Sequence, residues 1–374
     1  MKTKLRDWLT IGMFALILVG FAVANLFYDA GDVSQSERRK LTAMPNLTVE
    51  SVKSTKFMTG IEDYLTDHFI GRDSFRQLKA GFMFNVLRQK DNHHIYVVNG
   101  SASEYSAVLP EASLRQLTEK FGILRDKYLT GCNLYYSVIP DKNYFLAEAN
   151  GYPAYDYAQF LDILREGMGD FTEIDLFSVL EIGDYYRTDL HWDQSQLNEA
   201  SAVLCAGLGV TAPDLSTMAA HILEPFWGVY YGQSALSLSP DTLTYLTSPT
   251  LDGCKYYVLD EITLEFEEKP LYDEALFNGI DPYNTFLEGP VAMGKIVNPH
   301  ASSDRRLLLF RDSFGSAIAP LIAAGGDYAE IILIDLRYIY AQLLPQLIEI
   351  EPGDDVLLLY NTKILENSTL FNIK

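Results

Sequence analysis

Cysteine is scarce in this sequence. The 374-residue chain has three, Cys132, Cys205 and Cys254, and none forms a Cys-x-x-Cys pair. That excludes a disulfide framework and a cysteine-based zinc site. Three thiols allow one disulfide at most, so they do not fix the redox compartment, and small buried hydrophobes is their plainest role. Histidine is nearly as sparse, at six. A basic surface is lacking too: the formal net charge of -21 repels nucleic acid. The run Glu37-Arg38-Arg39-Lys40 is too short to reverse that and reads as a solvated face near a membrane. There is no internal repeat and no low-complexity tract. What is abundant is apolar material, 48% of residues, enough for a sizeable core in one elaborated domain or a domain with an insertion.

One hydrophobic run is long. Residues 8–27 are almost uninterruptedly apolar and follow Lys2, Lys4 and Arg6. The length suffices to cross a bilayer core, and the basic flank favours an N-terminus in the cytoplasm with the rest of the chain outside it. Residues 1–28 are therefore expected to be an uncleaved, single-pass anchor in the cell membrane. The alternative is a signal peptide, since Ala22-Val23-Ala24 has the small-x-small pattern of a cleavage site, with secretion after cutting near Ala24. Residues 29–45 read as a polar tether, and 46–374 as the folded domain.

Within that domain, apolar periodicity predicts helices over 49–65, 73–87, 114–128 and 160–168. It predicts strands over 95–98, before the turn Asn99-Gly100, and over 133–139, closed by Pro140. After His191, Asp193 or Ser195 caps a helix that runs through Leu204 to an exit at Gly207 or Gly209. Residues 210–290 change character, with Gly, Pro, Thr and many Tyr, and predict a β-rich insertion or lid. The last third alternates short apolar runs at 306–310, 331–334 and 356–360 with helical stretches at 317–324 and 338–347. That spacing predicts an α/β fold with a parallel sheet covered by helices on both faces. Sites in such sheets lie beyond the carboxyl ends of the strands, which brings Arg311, Asp312, Ser313, Asp335, Arg337 and Asn361 to one edge, joined by Asp141, Lys142 and Asn143.

Two segments there carry chemistry. Ser313 follows a strand that stops abruptly at a helix start, where α/β hydrolytic enzymes place a nucleophile. Asp189-Leu190-His191-Trp192 supplies an imidazole and a carboxylate, and in extended chain Asp189 and His191 point to the same side. The bland alternatives are that Asp312-Ser313 caps a helix and that Asp189 and His191 share a structural hydrogen bond. The amide of Ser313 or Phe314, helped by Arg337, is the expected oxyanion donor, with Trp192 and Lys142 as further substrate-side candidates, Trp192 being weighed against a core role. His93 and His94 are adjacent and point apart, a poor metal pair. Asp67-His68 beside Arg72 reads as an ion network. His221 and His300 have no evident partner.

These residues resemble a family, the bacterial DHHW proteins, which are similar to the SGNH-like acetyltransferases that O-acetylate exopolysaccharides such as alginate outside the cytoplasmic membrane. The likeness runs from Asp67-His68-Phe69 with Arg72, through Asp189-Leu190-His191-Trp192, to Asp312-Ser313-Phe314 and Asp335-Leu336-Arg337-Tyr338. It implies an SGNH-hydrolase-like fold in which Asp189 orients, His191 acts as base and Ser313 attacks, with Arg337 matching an arginine near the site. Leu190 stands where the eponymous motif has its first histidine, and Arg311 where the Gly-Asp-Ser form has glycine. No asparagine is identified as the one that completes the usual oxyanion hole.

The resulting expectation is a membrane-anchored, exported serine-type O-acyltransferase or esterase acting on cell-surface or exopolysaccharide hydroxyls. It requires no metal or nucleotide cofactor, and by family analogy its partner is a membrane-bound O-acyltransferase. The rival is a non-catalytic envelope protein that binds glycan through the same cleft with an idle triad; Trp227, Tyr230 and Tyr231 are candidates to stack on sugar rings, weighed against core packing of a β-rich lid. A third reading is metal-dependent hydrolysis with Asp189, His191 and Asp312.

Overall fold

The computed structural model describes residues 2–34 and 36–374. The chain divides into two compact units, one comprising residues 1–92 with 231–237 and the other 93–230 with 238–374.

In the first unit a helix spans Lys2–Phe27. Its stretch Lys4–Phe27 is long and apolar enough to cross a membrane or to serve as a signal sequence, and none of it is buried. The helix expected over 49–65 is two, Val49–Lys53 and Lys56–Asp67. They break at Thr55, whose φ of 62° is left-handed and interrupts the helical ladder. Helix Arg72–Asn85 follows. Asp67 accepts two bonds from Arg39, at 2.6 and 2.9 Å, and two from Thr42. The Arg39 hydrogen bonds hold its carboxyl well below the usual range. His68 meets the Tyr64 carbonyl through Nδ1 at 3.0 Å, so Asp67, Arg39 and Arg72 form a structural ion network.

The second unit is built on eight strands: β1 Asn133–Ile139, β2 Thr172–Glu173, β3 Lys255–Leu259, β4 Phe266–Lys269, β5 Met293–Val297, β6 Arg305–Arg311, β7 Tyr328–Ile334 and β8 Asp355–Asn361. Their order is β4-β3-β5-β7-β6-β8-β1-β2. The five from β7 to β2 run parallel, whereas β5, β3 and β4 are added antiparallel. So the expected β-rich insertion is not one lid. Its 255–269 part extends the main sheet, and only Ala219–Phe226 with Asp241–Thr247 forms a separate ribbon.

Alternation along the central strands divides the core. Leu307, Leu309, Leu333, Leu357 and Leu359 pack on one face with Ala317, Ile318, Leu321 and Leu204. Those partners lie on helices Gly315–Ala324 and Asn198–Leu208. Leu308, Phe310, Ile332, Ile334, Val356 and Leu358 pack on the other with Leu117, Phe121, Phe160 and Leu164, from helices Glu111–Tyr128 and Tyr157–Gly167. Period-2 side chains on strands buried on both faces explain why those runs read as continuously apolar. The helix expected over 338–347 shrinks to a 3-10 turn and Leu344–Leu347, because Pro345 cannot donate into a continuing ladder.

A half-buried carboxyl outside the site gives a stability test. Glu366 is pushed up to about 7, mainly by burial, and its Oε1 has no partner among the described residues. Its folded value lies above the ~4.3 of an unfolded chain. The folded state therefore holds the proton longer, and stability falls as pH rises from ~4.3 through about 7. Glu366→Gln is expected to stabilise by roughly 1–2 kcal/mol at pH ~8 and by almost nothing at pH ~4. Thermal unfolding of both proteins at the two pH values checks it.

Candidate active site

The site grows from the end of β6. Asp312 is fully buried, and its Oδ1 accepts the Phe314 amide at 2.9 Å while Oδ2 accepts the Asn361 amide, at the end of β8, at 2.7 Å. Those two bonds pin a sharp turn between strand and helix. Burial raises the Asp312 carboxyl, with Arg337 opposing. The turn also needs Gly315, where a Cβ would lie 2.6 Å from the Cβ of Arg311. Arg311 is itself buried and donates to the Asp312 carbonyl at 3.2 Å and the Ser316 hydroxyl at 3.0 Å. Arginine therefore stands in the glycine position as a brace. Phe314 occupies the cap position and makes no side-chain cap bond, so the Ser313 hydroxyl is not used as a helix cap.

It is used elsewhere: Ser313 Oγ lies 2.7 Å from His191 Nε2. His191 Nδ1 lies 2.7 Å from Asp189 Oδ1, which also accepts the His191 amide at 3.0 Å. A carboxylate is acceptor-only, so Nδ1 carries the hydrogen and Nε2 is left to accept from the serine. The structure thus brings Ser313, His191 and Asp189 into one line. Local conformation differs from expectation, however. Residues 188–191 form a bend rather than extended chain, flanked by the bridge between Tyr185 and Trp192 and by the Tyr186 amide on the His191 carbonyl at 3.1 Å.

Distant segments hold this bend. The buried Lys142 donates Nζ to the carbonyls of Tyr186, Arg187 and Asp189 at 2.6, 3.1 and 3.0 Å. Burial pushes its pKa down to about 7, against the attraction of Asp189 and Asp241. Asp241 accepts the Thr188 amide and hydroxyl at 2.7 and 2.6 Å. The Val229 amide reaches Asp189 Oδ2 at 2.8 Å. Gly228 makes that approach feasible, since a Cβ there would sit 2.2 Å from the Thr188 carbonyl. Finally, the Tyr283 ring stacks on the imidazole at 3.8 Å and 6°, with Phe314 at 4.8 Å.

Several substrate-side expectations are corrected. Trp192 is fully buried and donates Nε1 to the Phe314 carbonyl at 3.1 Å, so it fixes the turn and meets no substrate. The Phe314 amide is taken by Asp312, which removes it as an oxyanion donor. Lys142 is 1% exposed and bound to three carbonyls, which makes it a brace. Arg337 is partly buried and forks onto Asp335 at 2.9 and 2.6 Å. Asp141 and Asn143 are buried in the cap of helix Lys142–Asn150 and a bond from the Tyr96 hydroxyl. Asp312 has both oxygens on backbone amides, which withdraws it from the proposed metal set. Tyr230 is buried against Ile95 and Ala102, while Trp227 is 37% exposed. Asp241, Gly228 and Tyr283 were missed because single residues in a loop-rich stretch carry no spacing signal.

Lys142→Met tests the brace. It leaves three carbonyls without their donor and is expected to destabilise by about 2–4 kcal/mol. Acyl-ester kcat/KM of the folded fraction is expected to fall roughly 10- to 100-fold as the 186–191 bend loosens. Denaturant unfolding and steady-state kinetics below the midpoint read the two effects.

Comparison with known proteins follows the same lines. No curated protein matches the sequence. A DHHW family protein from Eubacterium siraeum is similar in structure, with a TM-score of 0.58 and 21% identity, covering 74% of this chain and 92% of that one. Bacillus cereus PatB1 has a TM-score of 0.58 and 17% identity, covering 74% and 99%. Its form with a sulfonyl adduct scores 0.56 at 17% identity, covering 75% and 98%. The family model described as DHHW protein matches residues 178–331, a span that holds both Asp189-Leu190-His191-Trp192 and Ser313. The chain therefore resembles the DHHW proteins and shares the fold of these solved structures.

Proposed function

We propose that this protein is a serine-type O-acyltransferase, tethered to a membrane by Lys4–Phe27, that moves an acetyl group to hydroxyls of a cell-surface or exopolysaccharide glycan. The observation that carries the reading is the continuous relay from Asp189 through His191 to Ser313, with both bonds at 2.7 Å. An alcohol placed against a buried, oriented imidazole is a general-base-activated nucleophile.

The steps follow from the geometry. His191 Nε2 takes the Ser313 proton as Oγ attacks the carbonyl carbon of an acyl donor, and Asp189 stabilises the imidazolium. The Ser313 amide pairs with no group among the described residues and is the backbone donor for the oxyanion. Collapse expels the donor's leaving oxygen, which recovers the proton from His191. A sugar hydroxyl then gives its proton to His191 and attacks the acyl-serine, and Ser313 regains a proton as it leaves. With water as acceptor the same cycle is an esterase. A sulfonyl adduct on the PatB1 neighbour accords with a site that reacts with electrophiles. The chain's proposed partner is a membrane-bound O-acyltransferase that supplies acetyl groups.

A fluorophosphonate probe tests the reading. Labelling of the wild type that disappears in His191→Ala supports it. No labelling of a folded wild type contradicts it and favours a glycan binder with an idle relay.

A further inference from the structure

We propose that helix Arg72–Asn85 is a second membrane contact, lying at the lipid interface with its apolar side among the acyl chains of a phospholipid bilayer. This rests on the reading of Lys4–Phe27 as a membrane span.

The helix presents its apolar residues the wrong way for a soluble protein. Phe75, Leu78 and Phe82, with Val86 just beyond its end, recur at helical spacing on one side and are 47, 69, 52 and 60% exposed. Its covered side holds Ala80 and both arginines. Arg72 and Arg76 pair with Glu37 at 2.7 and 3.1 Å, Arg76 also donates to the Gly232 carbonyl at 2.8 Å, and Gln77 to the Tyr231 hydroxyl at 2.9 Å. The arginines are paired, while Phe75, Leu78, Phe82 and Val86 are left outside together with the exposed Asp73, Ser74, Gln77 and Lys79, an amphipathic pattern that suits a helix lying in a membrane surface.

Depth is set by contacts with the span. Phe21 stacks on Phe69 at 5.5 Å and meets Phe75 at 5.9 Å, and the Ile70 amide donates to Asn25 Oδ1 at 2.8 Å. A groove of about 600 Å³ runs between the two helices, lined by Leu16, Ile17, Phe21, Ile70, Phe75 and Leu78 among others. Leu16 lies eleven residues before Phe27, about 16 Å along the axis at 1.5 Å per residue, or roughly half of a ~30 Å hydrocarbon layer. Side chains that share a groove with Leu16 are therefore at acyl-chain depth if the span is one. The groove lining includes no charged side chain to orient a protein partner, whereas lipid needs only apolar surface.

The test uses the full chain in nanodiscs of phosphatidylcholine and phosphatidylglycerol, with Cys132, Cys205 and Cys254 replaced by serine. Spin labels are placed through Leu78→Cys, Phe82→Cys and Asp73→Cys, with Leu18→Cys as a reference in the span. Labels at 78 and 82 are expected to collide with oxygen and be shielded from a water-soluble nickel chelate, as at 18, and the label at 73 to show the reverse. Nickel access at 78 and 82 in a chain that resists carbonate extraction overturns this inference alone. Shielding from both reagents means a protein neighbour and also overturns it, and release of the chain by carbonate overturns the span itself. Should the cysteine replacements prevent folding, benzoylphenylalanine at position 82 of the otherwise native chain is expected to photo-crosslink to lipid. Crosslinks to protein alone would overturn the proposal.

Discussion

Replacing Ser313 with alanine is expected to lower kcat for acyl-ester turnover by about 10⁴-fold or more, as loss of an activated nucleophile does. The hydroxyl is the only group in the relay able to carry the acyl group, because His191 Nε2 faces it at 2.7 Å and the neighbouring Asp312 is committed to two backbone amides. Stability is expected to change by no more than about 1 kcal/mol, since the substitution removes one partly exposed hydrogen bond and leaves the pinned turn intact. A large fall in turnover at nearly constant melting temperature separates a chemical role from a structural one. Michaelis–Menten kinetics and thermal unfolding of the same preparation read both.

Asp189→Asn is the second large effect, again about 10⁴-fold in kcat. The donors to this carboxylate include the His191 ring and amide on Oδ1 and the Val229 amide on Oδ2. An amide side chain has one accepting oxygen and one donating nitrogen. If its nitrogen faces the ring, Nδ1 must become the acceptor, and Nε2 then carries a hydrogen toward Ser313 and cannot take its proton. If its oxygen faces the ring, the tautomer survives, but a donor opposes the Val229 amide and the imidazolium loses its counter-charge. Either arrangement costs about 1–3 kcal/mol of stability through a mismatched buried pair. A variant that keeps wild-type kcat would leave Asp189 as a purely structural hydrogen-bond partner of His191.

The reach of the sequence differed between parts of the molecule. The runs at 306–310, 331–334 and 356–360 read directly as buried parallel strands, since both faces of β6, β7 and β8 are covered. The Asn99-Gly100 turn was equally plain, and both residues have positive φ, 51° and 82°, as a two-residue hairpin demands. Less legible was the path of 255–269: an alternating run fits a lid or a sheet edge equally, and only its pairing with Met293–Val297 decides. Ser313, His191 and Asp189 announced themselves by residue type and by position beside a strand end or a clustered motif. Their supports did not. Asp241 and Gly228 act on Thr188 from 53 and 40 residues away, and such partnerships leave no periodic trace, while Lys142 reads at the right edge but in a substrate-side role rather than as a brace. Trp192 illustrates the converse, a residue prominent in its motif whose indole lies wholly inside the core.

The most direct test is mass spectrometry of the detergent-solubilised full-length chain after brief exposure to an activated acetyl ester. The expected result is a single acetyl group on the peptide that contains Ser313, absent in Ser313→Ala and slow to form in His191→Ala. Acetylation confined to lysines, or equal acetylation of wild type and Ser313→Ala, would contradict the relay as a source of nucleophilic catalysis.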